Sequence, residues 1–243
     1  MKNEATARKG RAILMCAGQY EEMEILRAAE DLVIAVDGGL PRLLDAGIRP
    51  DLCLGDFDSL DSRYAPYLKK LEETEPERIL RLPCEKDDTD TVYACRVCLE
   101  RGYREICIYG GLGGRLDHTM ANVQTLAWIR DQGGFGCLAG KKTLAYVIRK
   151  ERVLLPEGYE GTFSLFALDG RITGVTLEGM KYPLSGADLT NTFPLGVSNE
   201  VRADRRAAVT VREGLALMIL EGREGEEMCQ PWSIERTDLS AES

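Results

Sequence analysis

Two carboxylates lie two residues apart in the segment GDFDS at residues 55–59, directly after an apolar stretch that is typical of a β-strand. In an extended chain, residues two apart point the same way, so Asp56 and Asp58 are expected to lie side by side. Carboxylates that close repel each other, and one of them takes up a proton unless a positive charge sits between them. The spacing therefore predicts a site for a cation.

Three further segments with unusual residue types also follow apolar, strand-like stretches. They are DGG at residues 37–39, KDDTD at residues 86–90 and GGLGGRLDH at residues 110–118. The carboxyl ends of parallel strands lie on one edge of a sheet, where open α/β folds bind ligands, so we expect all four segments to meet there. Asp87 and Asp90 then join the first two aspartates. Mg²⁺, which is commonly shared between one or two carboxylates and substrate phosphates, is the cation that suits such a cluster.

The glycine-rich turn at residues 110–114 points to a phosphate group. Glycines let backbone N–H groups approach a phosphate closely, and the N-terminus of the following helix favours negative charge. Arg115 adds a planar, permanently charged donor. The turn does not match the G-x-x-x-x-G-K-[ST] pattern of a P-loop. Acids, glycines and an arginine together predict a site for a metal-bound nucleotide.

Neither helix periodicity nor turn chemistry calls for the two carboxylates of Asp56 and Asp58, but other features have a plainer explanation when taken alone. The DGG segment is typical of an ordinary turn between a strand and a helix. Thr89 or Asp90 is suited to capping the helix that follows. His118, the single histidine of the chain, lies near a helix start, where a local hydrogen bond would account for it.

The first half of the chain alternates between strand-like and helix-like patterns. The predicted strands are residues 12–16, 32–36, 52–54, 79–82, 106–109 and 135–138. The predicted helices are residues 21–29, 40–46, 91–101 and 120–131. Strands that alternate with helices favour a parallel sheet covered on both faces.

The pattern changes at about residue 144. Short alternating runs at residues 162–168, 175–177, 207–211 and 216–220 are separated by glycine-bearing turns, which indicates a small all-β sandwich or barrel. We therefore predict an α/β fold with a parallel-sheet α/β domain at residues 11–143 and an all-β domain at residues 144–223. The polar residues 224–243 are expected to form a loosely held tail.

Composition narrows the classes of function. The formal net charge of −9 argues against binding to nucleic acid or to an anionic membrane surface. Apolar runs fall short of the roughly 20 residues that span a bilayer, and the N-terminus lacks the core of a signal peptide, so we expect a cytoplasmic protein. Several of the eight cysteines lie in strand-like stretches and are expected to be buried and reduced.

The four segments, in this order and spacing, resemble the thiamine pyrophosphokinase (thiamin diphosphokinase) family. The resemblance rests on DGG, GDFDS, KDDTD, GGRLDHTMAN at residues 113–122 and, in the β part, SNE at residues 198–200. It extends from about residue 13 to residue 220. The family combines a nucleotide-handling α/β domain with a β-sandwich domain. Its members transfer pyrophosphate from ATP to the hydroxyl of thiamine with Mg²⁺, and they act as homodimers whose thiamine site lies in a cleft shared between subunits.

The resemblance also implies roles for individual residues. The candidate catalytic residues are Asp56, Asp58, Asp87, Asp90, Arg115 and Asp117. The candidate nucleotide-binding residues are Asp37, Gly38, Gly110, Gly111, Gly114 and Arg115. The candidate substrate-binding residues are His118, Asn122, Ser198 and Asn199. The candidate magnesium ligands are Asp56, Asp58 and Asp90. The sequence names no single base for the hydroxyl proton and leaves Asp58, Asp90 and Asp117 open.

Three alternatives stay open at this point. A pyrophosphokinase of the same type could act on another alcohol, such as a pterin. A haloacid-dehalogenase-like phosphatase would use Asp56 as a nucleophile, although that motif normally ends the first strand and here follows the third. A nucleotide sensor would bind without turnover.

Overall fold

A computed structural model describes residues 10–20, 23–58, 60–83, 88–223 and 230–240. The predicted site residue Asp87, like Ser59 of the GDFDS segment, lies outside the described residues.

The first half of the chain forms a parallel sheet of six strands. They are β1 (Ala12–Met15), β2 (Leu32–Val36), β3 (Leu52–Gly55), β4 (Ile79–Arg81), β5 (Glu105–Tyr109) and β6 (Phe135–Ala139). Their order in space is β4-β3-β2-β1-β5-β6, and all neighbours are parallel. The chain adds strands on one side of β1 and then crosses to its other side. The carboxyl ends of β1 and β5 therefore flank the position where open α/β sheets leave a crevice for ligands.

Helices cover both faces of this sheet, as the alternating pattern predicts. They are α1 (Leu40–Asp45), α2 (Ala65–Thr74), α3 (Asp90–Glu100) and α4 (Leu116–Asp131). Side chains alternate along each strand, so Ile13 of β1 packs into the core with α1 and α2, whereas Leu14 packs into the core with α3 and α4.

The helix predicted at residues 21–29 is wrong for the residues that the structure describes. Residues 23–28 have no regular structure. Met23 and Ile25 pack against the core while Leu26 is exposed, so burial alternates instead of following a helical period. The carboxylate of Asp31 accepts the N–H of Ala28 at 2.8 Å, which holds the end of the segment in a turn.

Helix α2 is absent from the sequence-based prediction. Its signals are a proline in the first turn, which is typical of a helix start, and Leu68 and Leu71 three residues apart. The polar residues between them obscured this short amphipathic pattern.

Among its described residues, the second half of the chain contains β-strands and no helix, as predicted. Its strands are β7 (Thr143–Leu154), β8 (Gly161–Ala167), β9 (Arg171–Glu178), β10 (Leu184–Thr190), β11 (Asn199–Val201) and β12 (Ala208–Gly222). The runs predicted at residues 207–211 and 216–220 form one strand, β12, with a register shift between Val211 and Leu215. Strand β7 pairs antiparallel with both β6 and β12, so the two halves share hydrogen-bonded β-structure.

The expectation of a loosely held tail is wrong for residues 230–240. Strand β13 (Glu235–Asp238) pairs antiparallel with β7. The side chain of Arg236 binds the buried carboxylate of Glu151 at 2.8 Å. Tyr146, fully buried, donates its hydroxyl to the carbonyl of Pro231 at 2.7 Å. The polar composition hid these anchoring contacts.

In the part of the chain that the structure describes, no helix is both long and apolar enough to cross a membrane.

Candidate active site

A cavity of about 280 Å³ opens at the carboxyl ends of β1, β2, β3 and β5. Its lining residues are Cys16, Ala17, Gly18, Val36, Asp37, Asp56, Asp88, Thr89, Asp90, Thr91, Gly110, Gly111, Gly113, His118 and Asn122. All four chemistry-bearing segments of the sequence contribute to this wall. The predicted residues Gly38, Asp58, Gly114, Arg115 and Asp117 lie outside the lining.

Asp37 connects two of the segments. Its carboxylate accepts backbone N–H groups from Gly38 and from Phe57 of the GDFDS turn. Its φ of 49° is uncommon for a residue other than glycine and places the carboxylate in the cavity wall. A Cβ at Gly55 would lie 3.0 Å from the Cα of Asp37, so only glycine lets the two strand ends approach this closely.

The carboxyl group of Asp37 is electrostatically disfavoured in its ionised form. Burial raises its pKa above the usual range, and the charges of Asp56 and Asp90 raise it further. The charges of Asp56 and Asp90 therefore both act on Asp37, and all three residues line the same cavity.

Asp56 and Asp58 do not extend side by side as the strand argument predicts. Phe57 between them has a φ of 59°, so the chain turns instead of continuing extended. The carboxylate of Asp56 accepts the backbone N–H of Asp58 at 3.1 Å, an Asx turn. Turn chemistry, which the sequence argument excluded, thus accounts for part of the role of Asp56. Asp37 takes the place beside Asp56 that was expected for Asp58.

Neighbouring residues of the KDDTD segment have different roles. Thr89 is the N-cap of α3 and its hydroxyl accepts the N–H of Val92 at 3.3 Å. Asp90 is the first residue of the helix and lines the cavity. Asp88 also lines the cavity and forms an ion pair with Arg96 at 2.6 Å. The capping alternative therefore applies to Thr89.

The glycine-rich turn is held against the end of β1. Gly110 has a φ of 65°, and a Cβ there would lie 2.4 Å from the carbonyl oxygen of Cys16. Asn122 of α4 is buried and donates from its side-chain amide to the carbonyl of Gly111 at 2.7 Å. The N–H of Gly114 reaches the side chain of Gln19 at 3.3 Å. These contacts preorganise the turn ahead of the N-terminus of α4.

Arg115 and Asp117 form an exposed bidentate ion pair at that N-terminus. The guanidinium approaches the two carboxylate oxygens at 3.1 and 2.6 Å. The pair lowers the pKa of Asp117 and raises that of Arg115. His118, one residue further, lines the cavity. The pair uses Nε and Nη2 of Arg115, which leaves the donors on Nη1 outside this contact.

The residues after β1 were missed by the sequence argument. Cys16, Ala17 and Gly18 line the cavity. Arg42 of α1 donates to the carbonyls of Cys16 at 2.7 Å and Ala17 at 3.0 Å, which fixes this segment. Burial raises the pKa of the Cys16 thiol to about 11, so the thiol stays protonated at neutral pH. Their position could have identified them, because they follow the first strand at the same edge of the sheet.

Ser198 and Asn199 lie outside the cavity, in the β part. Asn199 is buried, and its side chain accepts the N–H of Tyr182 at 2.9 Å and donates to the Tyr182 carbonyl at 2.7 Å. Ser198 has a φ of 59°, and its N–H reaches the hydroxyl of Ser164 at 3.1 Å. Three exposed apolar side chains come shortly before this segment in the sequence: Phe193, Leu195 and Val197.

No group of three or more metal-binding side chains gathers at ligand distance among the described residues. The chemistry of the cavity nevertheless fits Mg²⁺, because one or two carboxylates suffice when water and phosphate oxygens complete the shell, and the charges of Asp56 and Asp90 both act on Asp37. The fitting residues are Asp37, Asp56 and Asp90.

The fold and the cavity define an open α/β domain whose ligand crevice lies at the carboxyl edge and carries carboxylates and glycine turns. Two family models match such a chain: "Thiamin pyrophosphokinase, catalytic domain" at residues 23–134, and "Thiamin pyrophosphokinase, vitamin B1 binding domain" at residues 147–216. The thiamine pyrophosphokinase of Bacillus subtilis (strain 168) is 30% identical over 189 residues, which cover 77% of this chain and 86% of that protein.

Solved structures agree with the sequence relatives. The crystal structure of thiamine pyrophosphokinase from Bacillus subtilis superposes with a TM-score of 0.77 at 27% identity, covering 88% of this chain and 100% of that chain. That of thiamin pyrophosphokinase from Geobacillus thermodenitrificans gives 0.76 at 26% identity, covering 89% and 99%. The chain belongs to the thiamin pyrophosphokinase family.

Proposed function

We propose that the protein transfers the pyrophosphoryl group of ATP to the hydroxyl of thiamine and releases AMP. The observation that carries this proposal is the cavity at the carboxyl edge, whose wall combines Asp37, Asp56 and Asp90 with Gly110, Gly111 and Gly113 of the glycine turn. Both halves of the chain match the corresponding family models, which supports this reaction over a phosphatase or a nucleotide sensor.

The chain supplies two kinds of contact for the phosphates. The backbone of Gly110 and Gly111 and the N-terminus of α4 favour anionic oxygens. Asp37, Asp56 and Asp90 would hold Mg²⁺, which when bound offsets their repulsion and the phosphate charge. Phosphoryl-type transfer depends mainly on positioning and charge stabilisation, so these fixed groups suit the reaction.

The acceptor is attracted by the same charge distribution. The described residues lining the cavity include four aspartates and one histidine. A cationic thiazolium ring is drawn towards such a wall, whereas a neutral pterin gains less from it. The electrostatics thus favour thiamine as the alcohol.

We propose further that the protein works as a homodimer in the cytoplasm. Phe193, Leu195 and Val197 are exposed large hydrophobic side chains that directly precede Ser198. Exposed apolar groups this close together in sequence indicate a surface that another chain covers. A second copy placed there would bring the segment at residues 198–200 to a cleft between subunits.

The direct test offers MgATP together with thiamine, a pterin alcohol or no acceptor, and measures AMP. AMP that appears only with thiamine supports the proposal, AMP with the pterin alone changes the acceptor, and inorganic phosphate indicates a phosphatase. Binding of ATP without any product indicates a sensor.

The variant Asp56→Asn is expected to lower AMP formation at least about a hundredfold, because electrostatic stabilisation of a transferring group is worth about 3 kcal/mol or more. The matched control is Asp61→Asn, an exposed aspartate of the same loop whose partner is Arg63. A folded Asp56→Asn enzyme as active as the control would exclude Asp56 from the site.

A further inference from the structure

A second cavity, of about 390 Å³, lies beside the acidic one and shares Gly113 with it. Its lining residues are Gln19, Tyr20, Leu112, Gly113, Ala139, Gly140, Lys141, Lys142, Thr143, Glu221 and Gly222. It occupies the ends of β6 and β12 and the start of β7. Lys141 and Lys142 have no role in the proposed function stated above.

The two cavities differ in charge. The described lining of the second cavity carries two lysines and one glutamate, whereas that of the first carries four aspartates and one histidine. If one end of an elongated anion binds in the first cavity with a metal ion, the rest of the anion is therefore attracted towards Lys141 and Lys142.

The lysines occupy a tightly held turn. The N–H of Gly140 donates to the carbonyl of Thr143 at 2.8 Å, so Lys141 and Lys142 are the two central residues of the β6–β7 hairpin. The N–H of Gly222 donates to the carbonyl of Lys142, also at 2.8 Å. Two-residue hairpin turns favour glycine, asparagine and aspartate at these positions, so turn geometry gives no reason for a pair of lysines.

Another part of the cavity wall offers an aromatic and an apolar surface. Tyr20 and Leu112 both line it. The guanidinium of Arg42 lies 5.6 Å from the ring centroid of Tyr20 and steadies the ring. Gln19, which binds the N–H of Gly114, connects this side to the glycine turn. A flat base fits against such a side, and a phosphate fits against the lysines.

We propose that the second cavity binds the nucleoside monophosphate half of the nucleotide, with Lys141 and Lys142 on its α-phosphate and Tyr20 beside its base. This inference rests on the proposed function. In the reaction, the acceptor oxygen forms a bond to the β-phosphorus, and the bond from that phosphorus to the α,β-bridging oxygen breaks. The electron pair stays on that oxygen, which leaves with the nucleoside monophosphate, and the hydroxyl proton is released. The lysines stabilise the charge that develops on the leaving group.

The test compares Lys141→Ala/Lys142→Ala with the matched control Lys69→Ala/Lys70→Ala. The control pair lies on the exposed face of α2 and removes the same charge. Isothermal titration calorimetry measures the binding of AMP and, separately, of thiamine, and circular dichroism checks the fold. We expect the first double variant to bind AMP at least about tenfold more weakly than wild type, with thiamine binding and the unfolding temperature unchanged. The control should bind both ligands as wild type does.

Other results overturn the inference. AMP binding within twofold of wild type in Lys141→Ala/Lys142→Ala shows that the lysines do not contact the nucleotide, as does a wild-type protein that binds no AMP. Selective loss of thiamine binding assigns the cavity to the acceptor instead. A second variant, Tyr20→Leu, is expected to weaken AMP binding without affecting pyrophosphate binding, and equal weakening of both contradicts the place given to the base.

Failure of the inference and failure of the proposed function are distinguishable. If wild type forms AMP from MgATP and thiamine while the lysine variant binds AMP normally, the reaction stands and the assignment of the cavity fails. If wild type forms no AMP with any alcohol while the lysine variant loses AMP binding, the nucleotide site stands and the reaction fails.

Discussion

At the scale of residues, the site is a set of charges held where they repel one another. Asp37 carries the clearest sign of this, because burial and the charges of Asp56 and Asp90 together raise its pKa. Its positive φ adds backbone strain at the same residue. Strain and repulsion of this kind persist at sites where binding a ligand compensates for them.

The variant Asp37→Asn tests that interpretation. A carboxyl group whose pKa is raised on folding contributes stability that is present below its unfolded pKa and lost as the pH rises through its folded pKa. Asparagine keeps a hydrogen-bond acceptor, tolerates the positive φ and carries no charge. At pH 7 and without metal, we expect the variant to unfold about 2 °C higher than wild type. The expected shift is small because Asp37 is half-exposed and solvent screens its charge. At pH 4 the unfolding temperatures of the two proteins should differ less.

Thermal unfolding by circular dichroism at both pH values is the measurement, and AMP formation should fall strongly in the same variant. Asp188→Asn serves as a control of opposite sign, because the ion pair with Arg171 lowers the pKa of Asp188. Removing the charge of Asp188 should lower the stability of the protein at pH 7, and by a smaller amount at pH 4. A less stable Asp37→Asn protein at pH 7 would contradict the repulsion.

At the scale of elements, each motif depends on a neighbour that fixes its backbone. The glycine turn before α4 is tied by Asn122 to the carbonyl of Gly111, and the segment after β1 is tied by Arg42. Neither tie belongs to the acidic motifs themselves. Side chains on the helices thus hold the backbone of the loops in place, and the motifs provide the groups that could act on a ligand.

The variant Asn122→Ala is expected to lower the free energy of unfolding by about 1–3 kcal/mol, because a buried carbonyl loses its donor. It should also raise the KM for ATP, since the turn loses its anchor. Thr125→Val is the matched control, as Thr125 is buried on the same helix and donates to Ala121 at 2.9 Å, away from the turn. Chemical denaturation and steady-state kinetics measure both effects. Equal KM values for ATP in the two variants would contradict the anchoring role of Asn122.

At the scale of the whole molecule, the C-terminal segment closes the amino edge of the sheet, opposite the site. Arg236 of β13 binds Glu151, which also pairs with Arg130 at 3.1 Å. The Arg236 guanidinium lies 3.5 Å from the ring centroid of Phe135, the first residue of β6. The segment therefore contributes to stability at a distance from the chemistry.

The variant Arg236→Ala is expected to lower the free energy of unfolding by about 2 kcal/mol, less than the loss of a whole buried pair because Arg130 still compensates Glu151. The kinetic constants should stay as in wild type. Arg205→Ala, which removes an exposed pair with Asp204, should change stability little. Urea unfolding of wild type and the two variants measures these changes. A midpoint for Arg236→Ala equal to that of wild type would mean that the contacts of Arg236 add no stability.

The proposed dimer is a property of the whole molecule as well. Phe193→Asp places a charge in the exposed apolar segment before Ser198, and we expect a monomer with strongly reduced activity. Light scattering coupled to size exclusion measures the mass. Leu26→Asp, at an exposed apolar residue of the other half, should leave the mass unchanged. A fully active monomer, in wild type or variant, would contradict a shared cleft.

The sequence by itself determined the buried strands of the first sheet and the segments of unusual residue types that follow them. Alternation along the strands and the unusual residue types after them predicted the sheet, its two covered faces and the edge where Asp37, Asp56 and Asp90 meet. These features are local, because burial period and residue type can be read from a few neighbouring positions.

Only the tertiary structure decided the order of the strands, the turn at Phe57, the anchors Asn122 and Arg42 and the docking of the last strand onto β7. Each depends on contacts between residues far apart in the chain, and such contacts override local preference. Asp58 left the position expected for it because a left-handed residue precedes it, and the C-terminal segment is ordered because Glu151, 85 positions before Arg236, is buried and needs a cation.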